Sequence, residues 1–291
     1  MAKDKEQVVN NLVVVSDTHC GCRLGLCPPG GVFMDEGGMY KPSRLQKKVW
    51  KMWREFWDEF VPLATRGEPY AVVFNGDIVD GVHHGSTTQV SHNLEDQAAI
   101  AYECMAPVVE ACEGRYYHIR GTEAHVGQSA RDEESLAKRL GAIPNEEGQH
   151  ARWDLWKMCG PKLVHFLHHV GTTSSAAYEA TAVFKELIEE YVESAKWGRR
   201  PPDCIIRSHR HRYIMCEIPT GSDAATGKGR TSTGHAIAAV TGCWQGKTPF
   251  VWKIAGARLT TPQFGGLVVR FKEDELFIRK RIWTVERSKV E

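Results

Sequence analysis

No run of apolar residues in the sequence approaches the roughly 20 needed to cross a bilayer as a helix, so no membrane span is expected. Charge of one sign is also missing. The 37 Lys and Arg stand against 36 Asp and Glu, for a formal net charge of +1 at pH 7. With no global basic field, long nucleic acid is not held non-specifically, although a local basic patch remains open. The nine cysteines are odd in number and scattered, which argues against a disulfide scaffold. The opening MAKDKEQ is charged and has no apolar core, so no secretory signal is expected. Together these absences point to a reduced, cytoplasmic enzyme without membrane contact.

The chain is long enough to bury a large core, and it shows neither an internal repeat nor a clean linker. A single domain over 1–291 is expected, with a motif core at 11–212 and a β-rich part at 213–291. Short apolar runs read as buried strands: NLVVVS at 11–16, YAVVF at 70–74, RYYHI at 115–119, KLVHFL at 162–167 and CIIR at 204–207. Ser43 has the chemistry of a helix N-cap. After it Leu45, Val49, Met52, Trp53, Phe56, Trp57, Phe60 and Val61 recur at three- and four-residue spacing. That predicts one long amphipathic helix whose aromatic residues are core.

Further helices are expected over about 94–112, 130–140 and 174–197, the last with Tyr178, Val183, Leu187, Tyr191 and Val192 on one side. The stretch 219–233, rich in Gly, Ser and Thr, is expected to be a mobile hairpin loop. Strand–helix alternation followed by strands alone predicts two sheets packed face to face with helices outside.

Five of the strands are followed by residues suited to a metal. Asp17-Thr18-His19 follows the first, Gly76-Asp77-Ile78-Val79-Asp80-Gly81 the second and Gly121-Thr122-Glu123-Ala124-His125 the third. His168 and His169 follow the fourth, and His209-Arg210-His211 the fifth. In open α/β sheets ligands gather beyond the carboxyl ends of the strands, so five segments would deliver Asp and His to one rim. Each motif alone is weak: a DxH arises by chance, an HxH can be a surface pair and a GDxxDG a solvated turn. The ordered set is the signal. Oxygen and imidazole donors without thiolate favour Mn, Fe, Zn, Co or Ni over a closed structural zinc site. Six or more ligands exceed the needs of one ion, so two ions sharing a carboxylate is the economical reading.

This order of motifs resembles that of the calcineurin-like metallophosphoesterases, from Asp17 to His211. The run from Pro219 to the C-terminus further resembles phage- and prophage-encoded members. The resemblance implies a four-layer αββα sandwich of two mixed β-sheets and a binuclear centre. Two divalent cations are expected, with Mn favoured. Carried over by position, Asp17, His19 and His211 would hold the first metal, Asp77 would bridge, and His168 and His209 would hold the second. Asp80 would orient a ligand or water.

The third motif departs from the family's Gly-Asn-His-Asp/Glu. Thr122 stands at the Asn position, Glu123 is the candidate for the missing oxygen ligand, and His125 is the candidate acid at the leaving group. The implied activity is hydrolysis of a phosphate ester by a metal-activated water. A phosphodiester of nucleic acid or nucleotide type is favoured as substrate. The alternatives are a phosphomonoesterase and a non-catalytic scaffold. Arg120, Arg207, Arg210 and Arg212 are candidates for phosphate contact, as are His83 and His84. His165 reads as a packed histidine. Cys20, Cys22 and Cys27 with His19 would make a small zinc site only at a non-standard spacing, and free thiols are preferred.

Overall fold

The computed structural model describes residues 8–127, 130–172, 175–222, 229–249, 251 and 261–284. In chain order its strands are β1 (Asn11–Val15), β2 (Val32–Phe33), β3 (Met39–Tyr40), β4 (Ala71–Asn75), β5 (Tyr116–Ile119), β6 (Ala151–Arg152), β7 (Asp154–Cys159), β8 (Lys162–Leu167), β9 (Cys204–Arg207), β10 (Ile214–Ser222), β11 (Gly229–Val240), β12 (Gln263–Lys272) and β13 (Glu275–Thr284). Its α-helices are α1 (Arg44–Glu55), α2 (Val61–Thr65), α3 (Leu94–Ala111), α4 (Glu123–Val126), α5 (Arg131–Arg139) and α6 (Glu179–Lys196). No helix among these residues is long and apolar enough to cross a membrane.

Every residue of β1, β4, β5 and β9 is buried, as fits strands covered on both faces. Side chains alternate across a strand, and the core divides accordingly. Leu12 and Val14 meet Val73, Ile119, Phe166, Ile206 and Leu267 between the two sheets. Val13 and Val15 turn the other way, onto Trp53, Phe56, Phe74 and Met105 under the helices. A third cluster seats Val183 and Leu187 of α6 on Ile205, Ala238 and Val240.

One sheet runs β13-β12-β1-β4-β5-β6 and the other β10-β11-β9-β8-β7. Both are mixed. In the first, β1, β4, β5 and β6 are parallel and β12 joins antiparallel. In the second, β8, β9 and β11 are parallel, and β7 and β10 are antiparallel to their neighbours. The result is a four-layer αββα sandwich of two mixed sheets flanked by helices.

Ser43 caps α1 through a capping box with Gln46. The expected unbroken helix is interrupted at Phe56–Phe60 by a wider π turn ahead of Pro62. Proline lacks an N–H and crowds the preceding turn, and widening relieves both. Helix α6 starts later than expected. Val183 and Leu187 are buried, but Tyr178 precedes the helix and is exposed. Val192, one step around from half-buried Tyr191, is exposed too. The expected loop at 219–233 is largely strand, because β10 reaches Ser222 and β11 begins at Gly229, with Ser222 paired to Gly229. Its residues 223–228 lie outside the described residues, as do parts of the C-terminal run.

His165 faces away from the intersheet core and stacks on Trp156, with ring centroids 4.0 Å apart and planes 6° apart. Burial first, then repulsion from Arg207, holds its pKa down to about 3, although Glu190 and Asp154 carboxylates lie at 3.6 and 3.9 Å. The unfolded ring takes its proton near pH 6.5 and the folded one does not until far lower. The folded state is therefore penalised as pH falls from 6.5 toward 3, and stability returns as pH rises through that window. His165→Gln is expected to flatten the pH dependence of the urea-unfolding free energy between pH 6.5 and 4.5, by about 1.4 kcal/mol per pH unit at most. An unchanged slope would mean that the ring is not buried in its neutral form.

Candidate metal centre

The loops after β1 and β4 are stitched together by their backbones. Asp17 N–H donates to the Gly76 carbonyl at 2.9 Å and His19 N–H to the Asp77 carbonyl at 3.1 Å. Asp80 N–H donates to the Cys20 carbonyl at 2.9 Å. This crossing demands unusual backbone angles. Asp17, His19, Asp77, His209 and His211 all have positive φ, at 52°, 42°, 55°, 70° and 56°. Left-handed backbone is uncommon outside glycine and its clustering marks functional sites. Gly76, at φ 88°, lies where an added Cβ would fall 2.3 Å from His168 Nδ1, so only glycine admits the histidine this close.

Six of the seven ligand candidates converge. His19 Nε2 and His211 Nε2 stand 3.1 Å apart, with Asp17 Oδ1 at 3.9 and 3.2 Å from them. Around Asp77 Oδ2, His168 Nε2 lies at 3.0 Å, and His209 Nδ1 and His125 Nε2 lie at 3.9 Å. Asp17, His19 and His211 thus form one group with metal-ligand spacing and Asp77, His168 and His209 another. A third, His19, Asp77 and His125, links the two.

The protons are placed by the second partners. His168 Nδ1–H donates to the Asn75 carbonyl at 2.6 Å and His125 Nδ1–H to the Asp80 carbonyl at 2.6 Å. A ring so held turns Nε2 outward, and with no second proton there it presents only a lone pair. At His168 that lone pair faces a carboxylate oxygen, and both His168 Nε2 and Asp17 Oδ1 are buried without a hydrogen-bond partner. Acceptors aimed at acceptors in a buried place fit a cation, and ligating histidines are oriented by just such carbonyl partners.

The electrostatics agree. Burial opposes ionisation of Asp17, yet hydrogen bonding and attraction from His211, with His168 beyond, bring its pKa down to about 2. Asp77 is likewise held well below the carboxylate range, with His168 and His125 outweighing burial. Burial disfavours charge on His168, but Asp77 and Asp17 raise its pKa to about 9. At His19, burial and then His125 lower it to about 4 against the pull of Asp80. The cluster is a sink for positive charge.

Asp80 does not enter the group of ligands around Asp17 or Asp77. Its Oδ1 lies 3.4 Å from His19 Nδ1, and Gln245 and Gln89 donate to its two oxygens at 3.0 and 2.9 Å. It orients His19 with its side chain and His125 with its carbonyl. Glu123 is a correction. It opens α4 exposed to solvent and belongs to none of the His/Asp groups found among the described residues. The side of the turn that faces the site is taken by Thr122, whose N–H and hydroxyl donate to Asp77 Oδ1 at 2.7 and 3.2 Å.

No family model and no curated protein sequence matches the chain. Solved structures do match. Vps29 (Vacuolar Protein Sorting 29) from Cryptosporidium parvum is 11% identical with a TM-score of 0.36, over 96% of this chain and 100% of that one. A double mutant of Vps29 from Entamoeba histolytica is 10% identical with a TM-score of 0.37, over 94% of this chain and 99% of that one. Likeness at that level says nothing of chemistry, which rests on the site itself.

An open cavity of about 310 Å³ adjoins the centre, lined by His83, His84, His125, Arg210, Arg212 and Lys247 among others. The guanidiniums of the two arginines are directed to Glu179 and Gly171. Arg207 is buried against Glu186 at 2.7 Å, and Arg120 lies over Trp153. Cys20, Cys22 and Cys27 are free, buried thiols, and burial raises the Cys22 and Cys27 pKa to about 11 and 12. Among the described residues none of the three belongs to a group with metal-ligand spacing, so the small zinc site gains no support. Gln89 and Gln245 escaped the sequence reading. Gln245 follows the end of β11, the place where the strand-end rule looks for ligands. Nothing local marks Gln89.

Gly121 presses its backbone against Asp77, so that an added Cβ would lie 2.2 Å from Asp77 Oδ1. Mn²⁺ is expected to raise the melting temperature of the wild type, because a cation that binds only the folded state stabilises it. Gly121→Ala should cost about 1–3 kcal/mol through overpacking and remove most of the Mn²⁺-induced rise. Thermal melts with and without Mn²⁺ read both, and a variant that kept the full rise would show that Asp77 is not a ligand.

Proposed function

We propose that this chain is a binuclear metal-dependent phosphoesterase, and that its substrate is a phosphodiester of nucleic acid or nucleotide type. The observation that carries the proposal is the opposed set of lone pairs, two carboxylates and four imidazoles, held by strained backbone at one rim of two sheets. Asp17, His19 and His211 would hold one divalent cation, His168 and His209 the other, and Asp77 would be shared. The donor set suits Mn, Fe, Zn, Co or Ni, and Mn²⁺ is the occupant proposed. When bound, two such ions supply Lewis acidity toward phosphate oxygens and acidify a water for in-line attack.

The chain's own groups do the rest. Asp77 offers only Oδ2, because Oδ1 is tied to Thr122. Asp80 keeps His19 turned so that Nε2 faces the centre. His125, held through Nδ1 by the Asp80 carbonyl, presents Nε2 toward both the centre and the cavity, where its protonated form can donate to the departing oxygen. The diester preference is supported by the cavity arginines. Both are engaged with Glu179 or Gly171, which suits a singly charged diester better than a dianionic monoester. A phosphomonoesterase is the alternative. The scaffold reading would rest on Thr122 standing where an amide ligand is usual.

With Mn²⁺, turnover of bis-p-nitrophenyl phosphate is expected to exceed that of p-nitrophenyl phosphate, to vanish with EDTA, and to fall at least about a thousandfold in Asp77→Asn. Strong preference for the monoester would establish the alternative. Retention of Mn²⁺ with turnover of neither would establish the scaffold. His125→Asn is expected to lose about 10²-fold or more on a diester with a poor leaving group and far less on a nitrophenyl ester, whose leaving group needs no proton. Equal losses on the two would remove His125 from the role of acid.

A further inference from the structure

Beside the centre runs a buried polar chain that the phosphoester chemistry does not use. Tyr116 and His118 project from one face of β5 toward α5, where Glu133 sits. The three side chains are at most 1% exposed. Tyr116 Oη lies 2.7 Å from His118 Nδ1, and His118 Nε2 lies 3.0 Å from Glu133 Oε1. The Gly121 N–H donates to Glu133, at 3.0 Å from Oε2 and 3.3 Å from Oε1. Phe74 stacks on the His118 ring at 5.3 Å.

One arrangement of protons satisfies every group. Burial and the nearby Glu133 raise the Tyr116 pKa well above normal, so its O–H stays intact and donates to Nδ1. His118 then donates from Nε2 to Glu133. The reverse tautomer would set a ring lone pair against a carboxylate and leave the tyrosine hydrogen unmatched. His118 so placed is neutral, and it meets Glu133 as a hydrogen-bond donor rather than as a counter-charge. Burying a carboxylate there carries a desolvation cost that packing α5 onto the sheet does not call for.

The next N–H along the chain shows what that arrangement serves. Thr122 N–H donates to Asp77 Oδ1 at 2.7 Å. Two successive peptide N–H groups are thus gripped by two carboxylates, Gly121 by Glu133 and Thr122 by Asp77. With Gly121 pressed against Asp77, where Glu133 holds the loop decides where Asp77 Oδ1 is held, and hence that Oδ2 is the oxygen turned to His168 and His209. We propose that Glu133, locked by the Tyr116–His118 pair, is a positioning residue that fixes which oxygen of Asp77 faces the metal groups. This rests on the reading of Asp77 as the shared ligand.

The test is Mn²⁺ titration of metal-free full-length protein. Glu133→Gln keeps shape, but its amide can accept from Gly121 at the shorter Oε2 position only by setting NH₂ against His118 Nε2–H. Mn²⁺ affinity is expected to fall about tenfold, the size of effect seen when partners of metal ligands are removed. In diester turnover, kcat should fall more than KM rises, and the ¹⁵N shifts of His118 should move toward the Nδ1–H tautomer. Glu133→Asp keeps the charge and is expected to lie between the wild type and Gln. A merely structural role would lower the melting temperature and leave Mn²⁺ affinity alone. Wild-type affinity in Glu133→Gln, or in Glu133→Asp should the Gln variant not fold, would overturn the positioning role by itself. A wild type that takes up no Mn²⁺ would overturn the metal reading, and this role with it.

Discussion

Lone pairs held face to face are the constraint around which the rest of the molecule is arranged. His168 Nε2 meets Asp77 Oδ2 at 3.0 Å, and His19 Nε2 meets His211 Nε2 at 3.1 Å. In a buried place such pairs repel unless a proton or a metal cation lies between them. Holding them requires left-handed backbone at five of the residues involved, each at a cost of about 1–2 kcal/mol. The compensation lies elsewhere, in the apolar layers between the sheets and under the helices. The site stores strain and the core offsets it.

The centre belongs to neither sheet alone. Asp17, His19 and Asp77 come from the loops of the sheet built on β1 and β4. His168, His209 and His211 come from that built on β8 and β9. Side chains bolt the two rims together. Asn75 Nδ2 donates to Ser208 Oγ at 2.7 Å and to the Leu167 carbonyl at 3.2 Å, and Thr241 Oγ1 lies 2.5 Å from Ser16 Oγ and 3.1 Å from Ser208 Oγ. Any slip of one sheet on the other would pull the two halves apart. Folding and formation of the site are therefore one event, and a cation bound there would tighten both.

The parts of the site legible in the sequence share one property. Asp17, Asp77, His168 and His209 each follow within three residues of a short, apolar, β-branched run whose strand character is local, and the strand-end rule then supplies the meeting place. The third motif was only half legible. Thr122 and His125 reach the site, but Glu123 does not. Neighbouring residues on a helical turn point about 100° apart, and Thr122 already occupies the face toward Asp77. The break at Phe56–Phe60 was hidden because the apolar spacing runs through it. Gln89, Gln245 and Glu133 were hidden because each acts across a distance in sequence that no local pattern encodes.

The sequence by itself determined the residue types at the rim, the strands that carry them, the N-cap at Ser43 and the apolar alternation that forces two layers of sheet. These follow from short-range sterics and hydrophobic periodicity. Only the tertiary structure decided which imidazole nitrogen faces inward, which oxygen of Asp77 is left open, and which of two glutamates, Glu123 or Glu133, governs the Gly121–Thr122 loop. Those choices are made by carbonyls and carboxylates from other elements at 2.6–3.3 Å. A hydrogen bond of that length depends on how helices and sheets dock, and docking is a property of the whole chain.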